Sequence, residues 1–525
     1  VLNQRALIAA VIAASGLAAS ASAQTQQWNN PFGGVWGAAS NWTPENVPDA
    51  VSEFAVIAIP GTYTVILDLN PTVGGITIGN PNATLEVPNT RQLISLGVSN
   101  TGWIVVNPTA GGSATTLRID GGGVLDGSGT IVLNASAANI TTATLQANGG
   151  TATHGAGHTV RGAGRITGPW VNNGLISADM AEKPLELSSG DKTNNAMMRA
   201  AGGGVLRLIG ITVAQGPAGQ IIADGGEVAL SNARVDGGTL EAVNGGFFSA
   251  SSTSTLSGVA LTGPLGLANT GMLIVDAAGL TNDGQITVNT TAGGSAATLR
   301  IDGGVIDGSG TIVLNASAAN IATAVLHANG AATFGPGQTI AGRGRVTGSH
   351  LLHGTIAPGS ATAAGFIEVG NALTLTETST VAIKVGGLAP TEFDRSGGSG
   401  AKAIDGRLVV TLLDDYIPSG TTLYDIVTGS SITGEFAELD LPTLPGGRRM
   451  HVGYAPTAVR LTACASDWNV DGSVNSNDIS AFLTSWLGSV GEGGLYADFN
   501  GDGAVNSNDI SAFLTAWLSA IQGGC

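Results

Sequence analysis

Two stretches carry oxygen-bearing side chains at the spacing a hard cation requires. DWNVDGSVNSND spans Asp467 to Asp478, and DFNGDGAVNSND spans Asp498 to Asp509. A Ca²⁺ ion takes six to eight oxygens, and a twelve-residue loop delivers them from positions 1, 3, 5, 7, 9 and 12. In the first stretch these are Asp467, Asn469, Asp471, Ser473 (through its backbone carbonyl), Asn475 and Asp478. In the second they are Asp498, Asn500, Asp502, Ala504 (backbone carbonyl), Asn506 and Asp509. Position 6, where the chain must turn sharply, is Gly472 in one and Gly503 in the other. The spacing predicts two calcium sites.

Elsewhere, residues able to do chemistry are few. Asp120 and Asp126, with Asp302 and Asp307, could serve carbohydrate cleavage by paired carboxylates, but each lies beside glycines, as a turn requires. His154 and His158 suggest a metal pair, but Phe334 and Gln338 stand at the equivalent places of a second copy of this stretch, and His350 and His353 sit in a turn without a nearby acidic or thiol partner; all four are expected to be solvated loop residues. There is no Gly-x-Ser-x-Gly elbow and no phosphate-cradling P-loop. The two cysteines, Cys464 and Cys525, bracket the loop region. In an exported protein such a pair reads as a disulfide, stabilising a small region by about 4 kcal/mol on the chain-entropy model. The alternative is that Cys525 is a site of covalent attachment or processing.

Each loop must be held by the segment C-terminal to it. ISAFLTSWL and ISAFLTAWL place Ile479, Phe482, Leu483, Trp486 and Leu487, then Ile510, Phe513, Leu514, Trp517 and Leu518, at helical spacing. Two helices are therefore expected to pack on each other, burying Phe482, Leu483, Phe513 and Leu514.

Before the loops the sequence is of another kind. Glycine, at 81 of 525 residues, is about twice its usual share, and short apolar runs alternate with Gly, Asn and Asp clusters, as many short strands do. Ala110 to Gly149 returns almost verbatim as Ala292 to Gly330, and repetition above a strand-turn rhythm is the mark of a solenoid. The expected fold is mainly β, a right-handed parallel β-helix, with a stack of antiparallel sandwiches as the alternative. Ile119 and Ile301, from equivalent strands, should point inward on one stack. With 20 Lys+Arg against 37 Asp+Glu the formal charge is −17, which excludes the basic footprint of a nucleic-acid binder. Arg5, an apolar run and Ala21-Ser22-Ala23 have the order of a secretory signal peptide over residues 1–23. No later run is long enough to span a bilayer as a helix.

Asp rather than Glu at loop position 12, one exiting helix per loop and no entering helix resemble the dockerin type I module. That resemblance implies an α-helical domain over 464–525 whose paired loops bind Ca²⁺ and dock onto a cohesin-like domain. Loop positions 10 and 11 would help contact the partner; here they are Ser476 and Asn477, then Ser507 and Asn508. Their agreement implies a pseudo-two-fold surface able to dock in either of two orientations. The terminal Gly-Gly-Cys resembles the GC-type dockerin, a C-terminal anchor on secreted bacterial proteins. Trp36, Trp42 and the strands after them resemble the opening of secreted β-solenoid, autotransporter-passenger-like proteins; the tryptophans are expected to cap the first coil against solvent rather than to stack on sugars. The order of turns and strands after His350 resembles the C-terminal segment of the same proteins, closing the open end of a 24–355 solenoid with residues 356–463. Together these imply a secreted or cell-surface, non-enzymatic solenoid tethered by its dockerin, with cell-surface polysaccharide as a further partner. The alternative is a dockerin-bearing β-helical polysaccharide lyase or hydrolase, or a carbohydrate-binding adhesin.

Overall fold

The computed structural model describes residues 24–445, 449–492 and 494–525; the expected signal peptide lies outside them. Short strands with alternating burial dominate: Thr116–Asp120 and Thr130–Asn134 each send every second side chain inward. That period of two is what a half-buried strand dictates. Among the described residues 52 strands form one hydrogen-bonded stack. Nearly all pairings are parallel and join a strand to the third one along, so three strands make a coil and the core is enclosed by three sheet faces.

Three triplets show the winding. Val98 lies between Ile76 and Leu125, Ile104 between Leu85 and Ile131, and Leu117 between Leu93 and Leu145. Leu185, Leu206, Val228, Phe248 and Leu265 form one inward column over five successive coils. Each coil thus buries its apolar edge on its neighbours, as a solenoid must. At the first coil Trp28, Trp36 and Trp42 are buried edge-to-face, and the Trp36 and Trp42 indoles donate to Pro48 O and Trp36 O. The expected parallel solenoid is the observed fold, and the antiparallel sandwich stack is not.

Ile119 and Ile301 both point into the core, but their strands lie on different faces. Thr116–Asp120 stacks between Gln92–Ser95 and Thr144–Asn148. Ala297–Ile301 instead continues the column that runs back through Met272–Val275 and, coil by coil, to Val124–Asp126 and Val98–Asn100. The second copy is turned by one face relative to the first. Strand Thr159–Thr167 shows how the chain rounds a corner: its first half pairs on one face and its second half on the next. Gly162 makes the bend at φ 107°, where a Cβ would strike the carbonyl of Leu133; Gly342 does the same against Leu314 in the second copy.

The expectation of solvated histidines is overturned, for His154, His158 and His350 are buried. The first two belong to a directed chain of hydrogen bonds inside a corner of the solenoid. Asn100 Nδ2 donates to His158 Nε2 (3.1 Å), His158 Nδ1 to His154 Nε2 (3.1 Å), and His154 Nδ1 to Asn172 Oδ1 (2.6 Å). Asn172 continues it to Asn194 Oδ1 at 2.8 Å, Asn194 to Gln215 Oε1 at 3.4 Å, and Gln215 to the carbonyl of Gly237 at 2.9 Å. With both rings neutral, every member finds an acceptor for the hydrogen it points along the chain, which is what burial of polar groups demands. Turn chemistry around His154 suggested a solvent-exposed loop, but the corner closes over it.

Parallel stacking continues from Thr355–Pro358 to Glu438–Asp440. The hairpin His451–Ala455 and Ala458–Thr462 then adds antiparallel strands beside Leu423–Thr428. Two helices complete the chain, α1 (Ser476–Glu492) and α2 (Ser507–Gly523). Among the described residues no helix is long and apolar enough to cross a membrane.

Candidate metal centre

Each loop begins within a few residues of a structured element and ends in a helix, so its backbone is pinned at both sides. In the first, the buried Asp467 carboxylate accepts from the backbone N–H groups of Asp471 (3.1 Å) and Gly472 (3.0 Å), drawing the chain into a tight ring. Asp478 closes the ring by accepting from Asn469 N (3.2 Å) and Asn475 N (2.8 Å). The second loop repeats this: Asp498 accepts from Asp502 N and Gly503 N, and Asp509 from Asn500 N (3.0 Å) and Asn506 N (2.8 Å). Asn475 and Asn506 each accept from the backbone N–H two residues on, at the start of the helix, as N-cap residues do.

The side chains at positions 3 and 5 meet in both loops, Asn469 donating to Asp471 and Asn500 to Asp502, each at 3.0 Å. The position 9 amides reach the position 7 carbonyls, Asn475 to Ser473 O at 3.4 Å and Asn506 to Ala504 O at 3.3 Å. Hydrogen bonds thus link the six sequence-predicted positions of each loop to one another along the loop backbone. Burial pushes the Asp467 carboxyl up to about 6, and the charges of Asp478 and Asp471 add to that against the lowering effect of the Gly472 N–H. A cluster of this kind favours a cation over the bare carboxylates. Among the described residues no three His, Cys, Asp or Glu side chains converge on one point; the loops offer instead carboxylate, amide and carbonyl oxygens together. That mixed, all-oxygen donor set fits Ca²⁺.

The two units meet across a pseudo-two-fold axis. Phe482 and Phe513 stack with centroids 4.2 Å apart and planes 4° from parallel. Trp486 donates its indole N–H to Asn506 O at 2.9 Å, and Trp517 donates to Asn475 O at 2.8 Å, so each helix grips the other's loop at position 9. Residues 465–513 match the dockerin type I domain family. No curated protein matches the chain. The dockerin match takes in both loops and all of α1 but ends at Phe513.

Within this dockerin region one expectation needs correction. Phe482 and Phe513 are buried as expected and Leu483 partly so, but Leu514 is exposed, as are Leu487 and Leu518 from the same stripes. Two helices crossing through stacked rings cover a narrower stripe than a helix lying on a sheet does, and the outer leucines are left in solvent. Ser476, Asn477, Ser507 and Asn508 occupy the first turns of the helices and are exposed. Cys464 and Cys525 are joined as a disulfide, with Cα atoms 5.3 Å apart.

Sequence reasoning missed the solenoid's hold on the first loop. Trp468, at position 2, stacks on His451 of the terminal hairpin (4.2 Å), and its carbonyl accepts from His451 Nε2 at 3.0 Å. Val470, at position 4, is buried against Gly453, and its carbonyl accepts from Arg460 Nη1 at 3.1 Å. Burial holds His451 down at about 4, so its ring is neutral. The signal was present in the letters: the loops differ at positions 2 and 4, Trp468 and Val470 against Phe499 and Gly501.

Proposed function

We propose that this chain is an exported β-solenoid tethered outside the cell through a calcium-binding dockerin to a cohesin-like partner. The observation that carries the reading is the pair of twelve-residue oxygen loops, related by the Phe482–Phe513 stack, inside a stretch matching the dockerin type I family. In each loop positions 1, 3, 5, 7, 9 and 12 would hold one Ca²⁺: Asp467, Asn469, Asp471, Ser473, Asn475 and Asp478, and Asp498, Asn500, Asp502, Ala504, Asn506 and Asp509. The ion supplies the positive charge that offsets the crowded carboxylates. The chain does the rest, with Asp478 and Asp509 locking loop to helix and Trp486 and Trp517 locking each helix to the opposite loop.

Ser476, Asn477, Ser507 and Asn508 offer exposed polar groups at the helix starts, and Leu514 and Leu518 add exposed apolar surface on α2. Exposed apolar side chains beside polar ones are what a protein partner uses. The solenoid is the cargo, and a non-enzymatic role is supported by how its carboxylates are used. Asp120 is paired with Arg118 at 2.7 Å and Asp302 with Arg300 at 2.6 Å, each within its own strand and turn.

The test is capture of the chain by an immobilised type I cohesin domain with calcium or with chelator. Binding should require calcium, and D471A with D502A together should weaken it by about a hundredfold or more. Capture that persists at full strength in excess chelator would overturn the reading. N-terminal sequencing of exported material should begin at Gln24.

A further inference from the structure

The dockerin region is nearly symmetric within itself but asymmetric in its surroundings. Around the first loop the solenoid supplies four contacts: the His451 ring on Trp468, His451 Nε2 on Trp468 O, the Gly453 backbone against Val470, and Arg460 on Val470 O. Arg460 is itself anchored to Asp425, at 2.8 Å. Strand Ala458–Thr462 leads directly into Cys464, whose carbonyl accepts from Asp467 N at 3.0 Å. Among the described residues, the solenoid gives the second loop fewer holds. Tyr496, just before it, donates to Val452 O at 2.9 Å, and the Arg449 side chain lies beside Gly501. Asn500, Gly501, Asp502, Gly503 and Ala504 are all exposed.

The backbone at position 4 sharpens the difference. Both loops need a left-handed residue there, Val470 at φ 46° and Gly501 at φ 71°. Glycine adopts that conformation freely, whereas a β-branched residue is an outlier held only where surroundings over-determine it. For Val470 the hairpin does this: the side chain is buried on Gly453, where any Cβ would overlap it. The solenoid therefore holds the first loop at position 4 through both the side chain and the carbonyl of Val470, whereas at position 4 of the second it meets a glycine, beside the Arg449 side chain.

We propose that His451, Gly453 and Arg460 of the solenoid's last hairpin are positioning residues for the first cation loop, making the two loops unequal calcium sites with the first the tighter. The physical cause is preorganisation, since a loop already ordered loses less conformational freedom when it closes on the ion. The same hairpin contacts, with Tyr496 on Val452 O, join the dockerin region to the end of the solenoid, so the docking surface would be presented on a fixed mount.

This inference rests on the calcium reading of the two loops, and isothermal titration of the full chain with Ca²⁺ separates the two. The native chain should bind in two steps differing by about tenfold or more in affinity; D471A should remove the tighter step and D502A the weaker. Arg460→Ala and Gly453→Val should each weaken the tighter step by about tenfold and leave the weaker unmoved. Arg460→Lys, which keeps a cationic donor, should restore part of the loss. A far-UV spectrum matching the native chain shows that the solenoid has kept its fold, and His451→Gln serves as a further variant if Gly453→Val disturbs the hairpin. Two equal sites, or a tighter site insensitive to Arg460 and Gly453, would overturn the inference while leaving the calcium reading intact. No calcium binding by the native chain would remove the calcium reading itself.

Discussion

The coils that follow the two copies of the duplicated block solve one packing problem with different residues. Where the first has His154, His158 and Trp170, the second has Phe334, Gln338 and His350. In the first, Asn100 reaches the chain of bonds through the His158 ring, while in the second Asn282 bonds Gln338 directly at 3.1 Å, and Gln338 returns to the carbonyls of Asn282 and Asp307. Trp170 Nε1 donates to Thr167 O at 2.9 Å, and His350 Nε2 donates to the equivalent Thr347 O at the same distance. Phe334 then packs on His350, 5.8 Å between centroids. The lesson is that this interior corner tolerates exchange of residue type as long as each buried donor finds its acceptor and the ring volume is filled. It does so although the copies lie on different faces, so what is repeated is the local coil and not its place around the axis.

The largest expected effect separates the copies by pH. Burial pushes His158 down to about 3, with the neighbouring His154 adding to this, and burial lowers His154 as well; Asp126 opposes both shifts. An unfolded histidine takes its proton near pH 6.5, so below that pH the unfolded chain binds more protons and stability falls until the folded rings titrate. The His154–His158 contribution is whole above pH 6.5 and is lost as pH falls toward about 3. Urea denaturation at pH 7 and pH 4 should show the native chain losing about 3 kcal/mol or more, from His158 with His154 acting in the same direction, beyond the loss of the graft of H154F with H158Q. Equal losses would mean that the ladder is not the acid-sensitive element.

Truncating the equivalent core positions is the next test. Ile119→Ala and Ile301→Ala should each cost about 3 kcal/mol in the denaturation free energy, because both side chains are fully buried. Similar values would confirm that the copies are packed alike after the turn by one face; a difference above about 2 kcal/mol would break the comparison. The smallest effect is expected from exchanging the ring donors. Trp170→His keeps an N–H for Thr167 O but removes ring volume, and should cost about 1–2 kcal/mol, read as increased hydrogen exchange in Trp170–Asn172.

Much of this was legible in the letters. Period-two alternation and the near-verbatim repeat pointed to a solenoid because every coil must bury the same edge, and the twice-repeated oxygen spacing pointed to the cation loops because coordination geometry leaves little freedom in which positions carry ligands. The histidines were misread because Gly, Asn and Thr around them look the same in a solvated turn and in a solenoid corner that the next coil covers. Lys192 and Lys402 were equally silent. Each is buried with its ammonium on three backbone carbonyls, and burial holds each down at about 8.

The sequence by itself determined the strand period, the repeat, the donor set of the two loops and the helices after them, since each depends on spacing within a few residues. Only the tertiary structure decided which face each copy occupies, which polar residues line the interior, and which loop the solenoid embraces. Those outcomes depend on where the chain returns after a full coil or after the last hairpin, and Val470 meets Gly453 only once that path has closed.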